Sequence, residues 1–133
     1  MVFDDNLPNV WVFVYPARAA RLVEGQSPQE GLVQVYNNMT WGWVCADQWD
    51  KQDADVVCRM MGFPGSLSSS IEKEKKPKTK LHVWLNNMQC FGNESSLFSC
   101  TNSGLGSHNC KTKEKAGAIC KPKGKNVTFK LFR

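Results

Sequence analysis

The densest run of ionisable side chains lies between two cysteines, in VCADQWDKQDADVVC, residues 44–58. It sets Asp47, Asp50, Asp53 and Asp55 against one lysine, Lys51. Carboxylates this close have two uses. They ligate a hard cation such as calcium through oxygen, or they occupy the first turn of a helix, where unpaired N–H groups and the dipole favour acids. The remaining inventory argues against catalysis. His82 and His108 are the two histidines, and no H-E-x-x-H, G-x-S-x-G or phosphate-binding loop is present. Six cysteines, separated by 12, 31, 9, 9 and 9 residues, include no C-x-x-C pair, so the common zinc and thioredoxin-like spacings are absent. With all six paired, no thiol nucleophile remains. The expectation is a binding domain and not an enzyme.

Lysine supplies a second chemistry. The net charge of +5 is divided: residues 1–58 hold eight acids and three bases, whereas 73–80 and 111–133 hold thirteen of the seventeen lysines and arginines. Lys73, Lys75, Lys76, Lys78 and Lys80 form one run, Lys111, Lys113 and Lys115 a second, and Lys121, Lys123 and Lys125 a third. Alternating lysines on a strand share one face. Such a pole attracts polyanions through its field and counterion release. The partners it suggests are sulfated glycans and lipopolysaccharide. No DNA-binding motif accompanies the lysines, so specific nucleic-acid recognition is not expected. The alternative reading is a polar loop that serves solubility.

An even cysteine count leaves fifteen pairings open and points to an oxidising compartment. Three N-x-S/T sequons, at Asn38, Asn93 and Asn126, agree, because such sites are acceptors only in a secretory context. The chain opens MVFDDNLPNV, with acids where a secretory signal needs positive charge. The apolar VWVFV at residues 10–14 is too short to span a bilayer. The expectation is an extracellular module, secreted or part of an ectodomain, with any membrane anchor outside this sequence.

At 133 residues the chain reads as one domain stapled by disulfides. Residues 1–19 read as a lead-in or linker, 20–121 as the domain, and 122–133 as a tail or last strand. ARLVEG and GLVQVYNNMTWGWVC read as strands, with Leu32, Gln34 and Tyr36 on one face, Val33 and Val35 on the other, and a turn at Asn37 and Asn38. DADVVCRMMG reads as a helix over about 53–62: Val57, Met60 and Met61 make one stripe, Asp50 is the N-cap, Asp53 stands at N3, and Gly62 and Pro64 end it. SLSSSIEKEKKPKTK, residues 66–80, reads as a polar loop. HVWLNNMQC reads as a strand and turn, ESSLFSC as a short helical turn, and AGAIC as a last strand.

Several of these stretches, in this order, carry a resemblance. W-G-x-V-C, W-D-x-x-D-A-x-V-V-C-R-x-x-G-F, L-x-x-M-x-C-x-G-x-E-x-S-L-x-x-C, S-H-N-C and A-G-x-I-C, spread over roughly Ala20 to Cys120, make the chain similar to a scavenger receptor cysteine-rich domain of the six-cysteine, group A type. The resemblance implies an α+β fold, a curved antiparallel sheet cradling one helix. It implies the disulfides Cys45–Cys110, Cys58–Cys120 and Cys90–Cys100. It implies a non-catalytic module that binds proteins or polyanionic and microbial ligands, often with calcium, and it places Trp41, Trp43, Trp49 and Trp84 in the core, with Trp11 outside the match.

The family builds its cation site from two adjacent aspartates after the first cysteine and a glutamate in the G-x-E-x-S stretch. Here the positions are Ala46, Asp47 and Glu94. Ala46 replaces one ligand, so Asp47 and Glu94 retain two formal charges. The expectation is that no cofactor is required and that any calcium assistance is weak, a solvated acidic pair being the alternative. A glycan at Asn93 would crowd Glu94. Asp55 reads as a solvent-facing helix residue, with a place in a weak second cation site as the alternative. EKEKKPKTK stands where the family usually carries a Gly-rich loop, and Lys115 where it usually carries an acid. Both departures add positive charge, and they move the expected ligand surface from the acidic segment to Lys73, Lys75, Lys76, Lys78, Lys80, Lys111, Lys113 and Lys115. Two other functions compete with this one: an accessory domain of an extracellular enzyme, of a lysyl oxidase-like or serine-protease chain, and a calcium-dependent adhesion module.

Overall fold

The computed structural model describes residues 2–3, 11–12, 19–75, 81–106, 110 and 113–123. Two short strands, β1 (Val2–Phe3) and β2 (Trp11–Val12), pair with each other in the lead-in. The side chain of Trp11 lies outside the described residues, as does His108. The domain proper follows as β3 (Ala20–Val23), β4 (Glu30–Asn37), β5 (Thr40–Val44), α1 (Lys51–Met60), β6 (Ser66–Glu72), β7 (Val83–Leu85) and β8 (Lys115–Cys120).

β4 organises the sheet. Along one flank it pairs antiparallel with β3, Ala20 opposite Val35 and Val23 opposite Leu32. Its other flank is shared: β8 takes Glu30 to Leu32, and β5 takes Gln34 to Asn37. The strand order runs β6-β8-β4-β5-β7, which makes β6 an edge. The sheet is mixed, not wholly antiparallel as expected. β7 runs parallel to β5, with a register shift between Trp43 and Val44. The chain reaches β7 only after passing through α1 and β6, and a long crossover of that kind permits parallel pairing. Gly42 lets this edge close, since a Cβ there would stand 2.5 Å from the Trp84 ring and 2.7 Å from the His82 carbonyl oxygen.

The alternation in β4 sorts the layers. Val33 and Val35 are fully buried and join Val44, Leu85, Met88, Leu97, Ala116 and Ala118 in the core, against Ala54, Val56 and Val57 of α1. Each Val, Leu or Met side chain among them contributes about 1.5–3 kcal/mol when fully buried. Leu32 and Gln34, on the opposite face, are also buried. Trp43 and Trp49 are buried, while Trp41 and Trp84 are half-buried. The Trp49 indole donates to the Gly117 carbonyl oxygen at 2.8 Å, tying the segment before α1 to β8.

α1 starts two residues earlier than the sequence suggests, and its cap is the expected one. Asp50 accepts from the Asp53 N–H at 3.1 Å, and Asp53 accepts from the Asp50 N–H at 2.9 Å, a reciprocal capping box. The buried stripe is Ala54, Val57 and Cys58 with Val56, whereas Met61 is the C-cap. The larger correction concerns residues 66–80, whose first half is strand. β6 pairs with β8 from Ser66–Cys120 to Glu72–Lys115. An edge strand bonds through its backbone on one side only, so a serine-rich segment with no apolar alternation suffices. The short helical turn is a 3₁₀ turn at Leu97–Ser99, capped by Ser96.

Candidate functional site

Three disulfides frame the candidate surface: Cys45–Cys110, Cys58–Cys120 and Cys90–Cys100, spanning 65, 62 and 10 residues. They are the pairs that the resemblance implies. The two long ones hold β8, one at its end and one just before its start. The short one closes a loop beside α1.

The four aspartates separate. Asp50 and Asp53 start α1. Asp53 also reaches out of the helix, because its other oxygen accepts from the Cys90 N–H at 2.9 Å. It is fully buried. Burial pushes its pKa up to about 7, against the lowering effect of the N–H groups of Cys90 and Asp50. Asp55 is not a free, solvent-facing helix residue, because it is bonded across to the start of β6. Its carboxylate accepts from the Ser66 N–H at 2.8 Å and the Ser66 hydroxyl at 2.6 Å, with the Lys51 ammonium at 3.3 Å. Burial works to raise its pKa, but the Ser66 and Lys51 contacts outweigh it and hold the carboxyl below the ordinary range.

Asp47 and Glu94 fall into different clusters. The Asp47 carboxylate gathers with the sulfurs of Cys45 and Cys110, and Glu94 with those of Cys90 and Cys100, the atoms in each cluster within 4.8 Å of one another. Among the described residues no group of three or more ligand atoms contains both acids. Disulfide sulfurs are poor ligands for a hard cation. Ala46 is buried and supplies no oxygen from its side chain. Glu94 already has partners in its own loop: its oxygens accept from the N–H of Phe91 at 2.9 Å and of Gly92 at 3.0 Å. Those bonds, Phe91 first, hold its carboxyl below the usual glutamate range. Sequence reasoning missed Arg59, whose guanidinium donates to the Glu94 carbonyl oxygen at 2.9 Å and ties α1 to the loop.

The lysines meet at one edge. In the antiparallel β6–β8 pair Glu72 stands opposite Lys115. Residues just past the end of β6 therefore lie beside those just before the start of β8. Lys73, Lys75 and Lys113 are exposed there. Lys75 is partly committed, since its N–H donates to the Glu24 carboxylate and its ammonium to the Glu24 carbonyl oxygen at 3.4 Å. Lys115 does not belong with the exposed set. It is only 9% exposed, and its ammonium donates to the Lys113 carbonyl oxygen at 3.0 Å and pairs with Glu74 at 3.8 Å. A buried ammonium needs such partners. Its partner Glu74 lies just past the end of β6, 41 residues earlier in the chain, and nothing local in the sequence links it to Lys115. Lys76, Lys78, Lys80 and Lys111 lie outside the described residues.

Of the sequons, Asn38 is exposed in the β4–β5 turn with φ +50°, Asn93 is exposed in the Cys90–Cys100 loop, and Asn126 lies outside the described residues. No helix among the described residues is long and apolar enough to cross a membrane.

Known proteins share this frame. The scavenger receptor cysteine-rich domain family matches residues 23–121. The dimeric SRCR domain of mouse MARCO is 36% identical, with a TM-score of 0.59 over 76% of this chain and 93% of that one. The third SRCR domain of murine neurotrypsin is 34% identical, with a TM-score of 0.61 over 78% of this chain and 96% of that one. With its six cysteines paired in three disulfides, the chain belongs to the scavenger receptor cysteine-rich family, in its six-cysteine group A form.

Proposed function

We propose that this domain is an extracellular, non-catalytic recognition module that binds polyanions, such as sulfated glycans or lipopolysaccharide, at the lysine-rich end of the β6–β8 edge. The carrying observation is the register that sets Lys73 and Lys75 beside Lys113, bringing together two lysine runs nearly forty residues apart. Glu72, Glu74 and Glu114 share that end, so the positive excess comes from Lys76, Lys78, Lys80 and Lys111, which adjoin it in sequence. Binding of this kind depends steeply on salt and carries no sequence or shape readout. The test is heparin affinity at low and high salt. Charge reversal at Lys73, Lys76 and Lys78 is expected to abolish retention at physiological salt. Retention that is indifferent to salt, or that survives the reversal, would sink the proposal.

A second reading is an accessory interaction domain of a larger extracellular enzyme. The 34% identity to the third SRCR domain of murine neurotrypsin supports a place in a larger, multidomain protein, which this reading requires. The size and composition of the native gene product test it directly: a product holding no enzyme domain removes this reading and leaves the first.

A further inference from the structure

Phe91 is the most exposed large apolar residue among those described, at 87%. Nothing in the fold requires a phenylalanine there. The fold does require its backbone. Cys90 is fixed by its disulfide to Cys100 and by its N–H bond to Asp53. The N–H groups of Phe91 and Gly92 both donate to the Glu94 carboxylate, and Arg59 holds the Glu94 carbonyl from the helix side. Gly92 takes φ +111°, a conformation open to glycine, and so sets the bend between Phe91 and Asn93. The loop thus presents an aromatic ring in water on a backbone held at Cys90, Phe91, Gly92 and Glu94.

Two residues after that ring stands the sequon Asn93-Glu94-Ser95, with Asn93 and Ser95 both exposed. An N-linked sugar joined to Asn93 begins within reach of the ring, since two residues of extended chain span about 7 Å. The first sugar, N-acetylglucosamine, has an apolar C–H face and an acetamide methyl group. Either would take Phe91 out of water. Tyr36 stands in the same relation to Asn38, but its ring already packs on Trp41, centroids 5.2 Å apart. Asn126 is preceded at the matching position by Gly124.

We propose that Asn93 carries an N-linked glycan whose first N-acetylglucosamine packs on the Phe91 ring, making the sugar a structural part of the Cys90–Cys100 loop and a cover over Glu94. The proposal rests on the extracellular part of the functional reading and not on its polyanion part.

The protein is expressed in a secretory mammalian cell line with Thr40→Ala and Thr128→Ala, which leaves Asn93 as the one sequon. Glycopeptide mapping reads occupancy. Thermal unfolding compares the intact glycoprotein, a form trimmed to one N-acetylglucosamine, and a form whose glycan is removed entirely by an amidase. Asn93 is expected to be occupied. The trimmed form should keep the melting temperature of the intact one, and complete removal should lower it by about 3 °C. In Phe91→Ala, a benign change at an exposed site, that difference should vanish. Secreted protein with Asn93 bare overturns the proposal, as does an equal melting temperature with and without sugar, or an increment that persists in Phe91→Ala. The same samples are run on heparin, so failure of polyanion binding is recorded separately from failure of the glycan contact.

Discussion

Removing the Asp55 carboxylate should loosen the junction between α1 and the β6 edge. In Asp55→Ala, the Ser66 N–H (2.8 Å) and the Ser66 hydroxyl (2.6 Å) both lose their acceptor, one Asp55 carboxylate oxygen. Ser66 is fully buried, so water cannot replace it without opening the strand. A hydrogen bond to a charged group contributes about 1.5–3 kcal/mol, and an orphaned buried donor costs about 1–3 kcal/mol. The hydroxyl can rotate toward another acceptor, but the N–H cannot. The exposed Lys51 pair adds at most about 0.5 kcal/mol. The expected loss is about 3 kcal/mol. Asp55→Asn keeps an oxygen for both donors and should lose only about 1 kcal/mol. Urea unfolding with the disulfides intact measures each variant, and a double-mutant cycle with Ser66→Ala isolates the coupling, expected at about 1–2 kcal/mol. A loss below about 0.5 kcal/mol in Asp55→Ala, or no coupling to Ser66, would refute the assignment. Acid acts in the same direction. The Asp55 pKa is lowered on folding, so its contribution is present above the unfolded value near 4 and disappears as pH falls through the folded value.

Asp53 should behave oppositely. Its pKa is raised from 3.8 to about 7, so the protein takes up a proton there on folding; its contribution is complete below about pH 4 and is lost as pH rises to about 7. Unfolding free energy should therefore decline between about pH 4 and pH 7, by on the order of 2–4 kcal/mol, and Asp53→Asn should flatten that slope; an unchanged slope in the variant removes the assignment. Calcium, offered Asp47 and Glu94 in separate clusters, should bind no tighter than about 1 mM. Titration calorimetry checks this, and saturation at micromolar calcium would contradict the geometry. Among the disulfides, chain entropy ranks loop lengths: replacing Cys58 and Cys120 by alanine should cost about 4 kcal/mol and replacing Cys90 and Cys100 about 3 kcal/mol, measured by denaturant midpoints at constant m.

What the sequence disclosed was local. The Asp50 cap, the strand alternation at Val33 and Val35 and the two-residue turn at Asn38 each depend on neighbours a few positions away, and each is visible in the residue order. The features it concealed depend on distant partners. SLSSSIE has no strand pattern of its own, because β6 borrows its order from β8 across the ladder. Asp55 looks like a solvent-facing helix residue until Ser66 is placed against it. Lys115 looks like one more member of a basic run until Glu74, 41 residues earlier, is brought within 3.8 Å. The parallel pairing of β7 follows from where the chain goes between β5 and β7, and a three-residue strand carries no mark of its direction.

The same contrast explains why binding is better sought at the lysine edge than in the acidic segment. Every aspartate from 50 to 55 is already consumed by the fold: Asp50 and Asp53 by the helix start, Asp53 again by the short disulfide loop, and Asp55 by the entry to β6. Glu94 is spent on its own loop. A carboxylate that must release a backbone N–H to take a cation gains correspondingly less from doing so. Among the described residues the Lys73 and Lys113 ammonium groups are exposed, whereas the buried Lys115 ammonium bonds the Lys113 carbonyl oxygen at 3.0 Å and stands 3.8 Å from Glu74. The buried Lys115–Glu74 contact neutralises one lysine of the run, and the charges of Lys73 and Lys113 stay at the surface, where the proposed polyanion contact needs them.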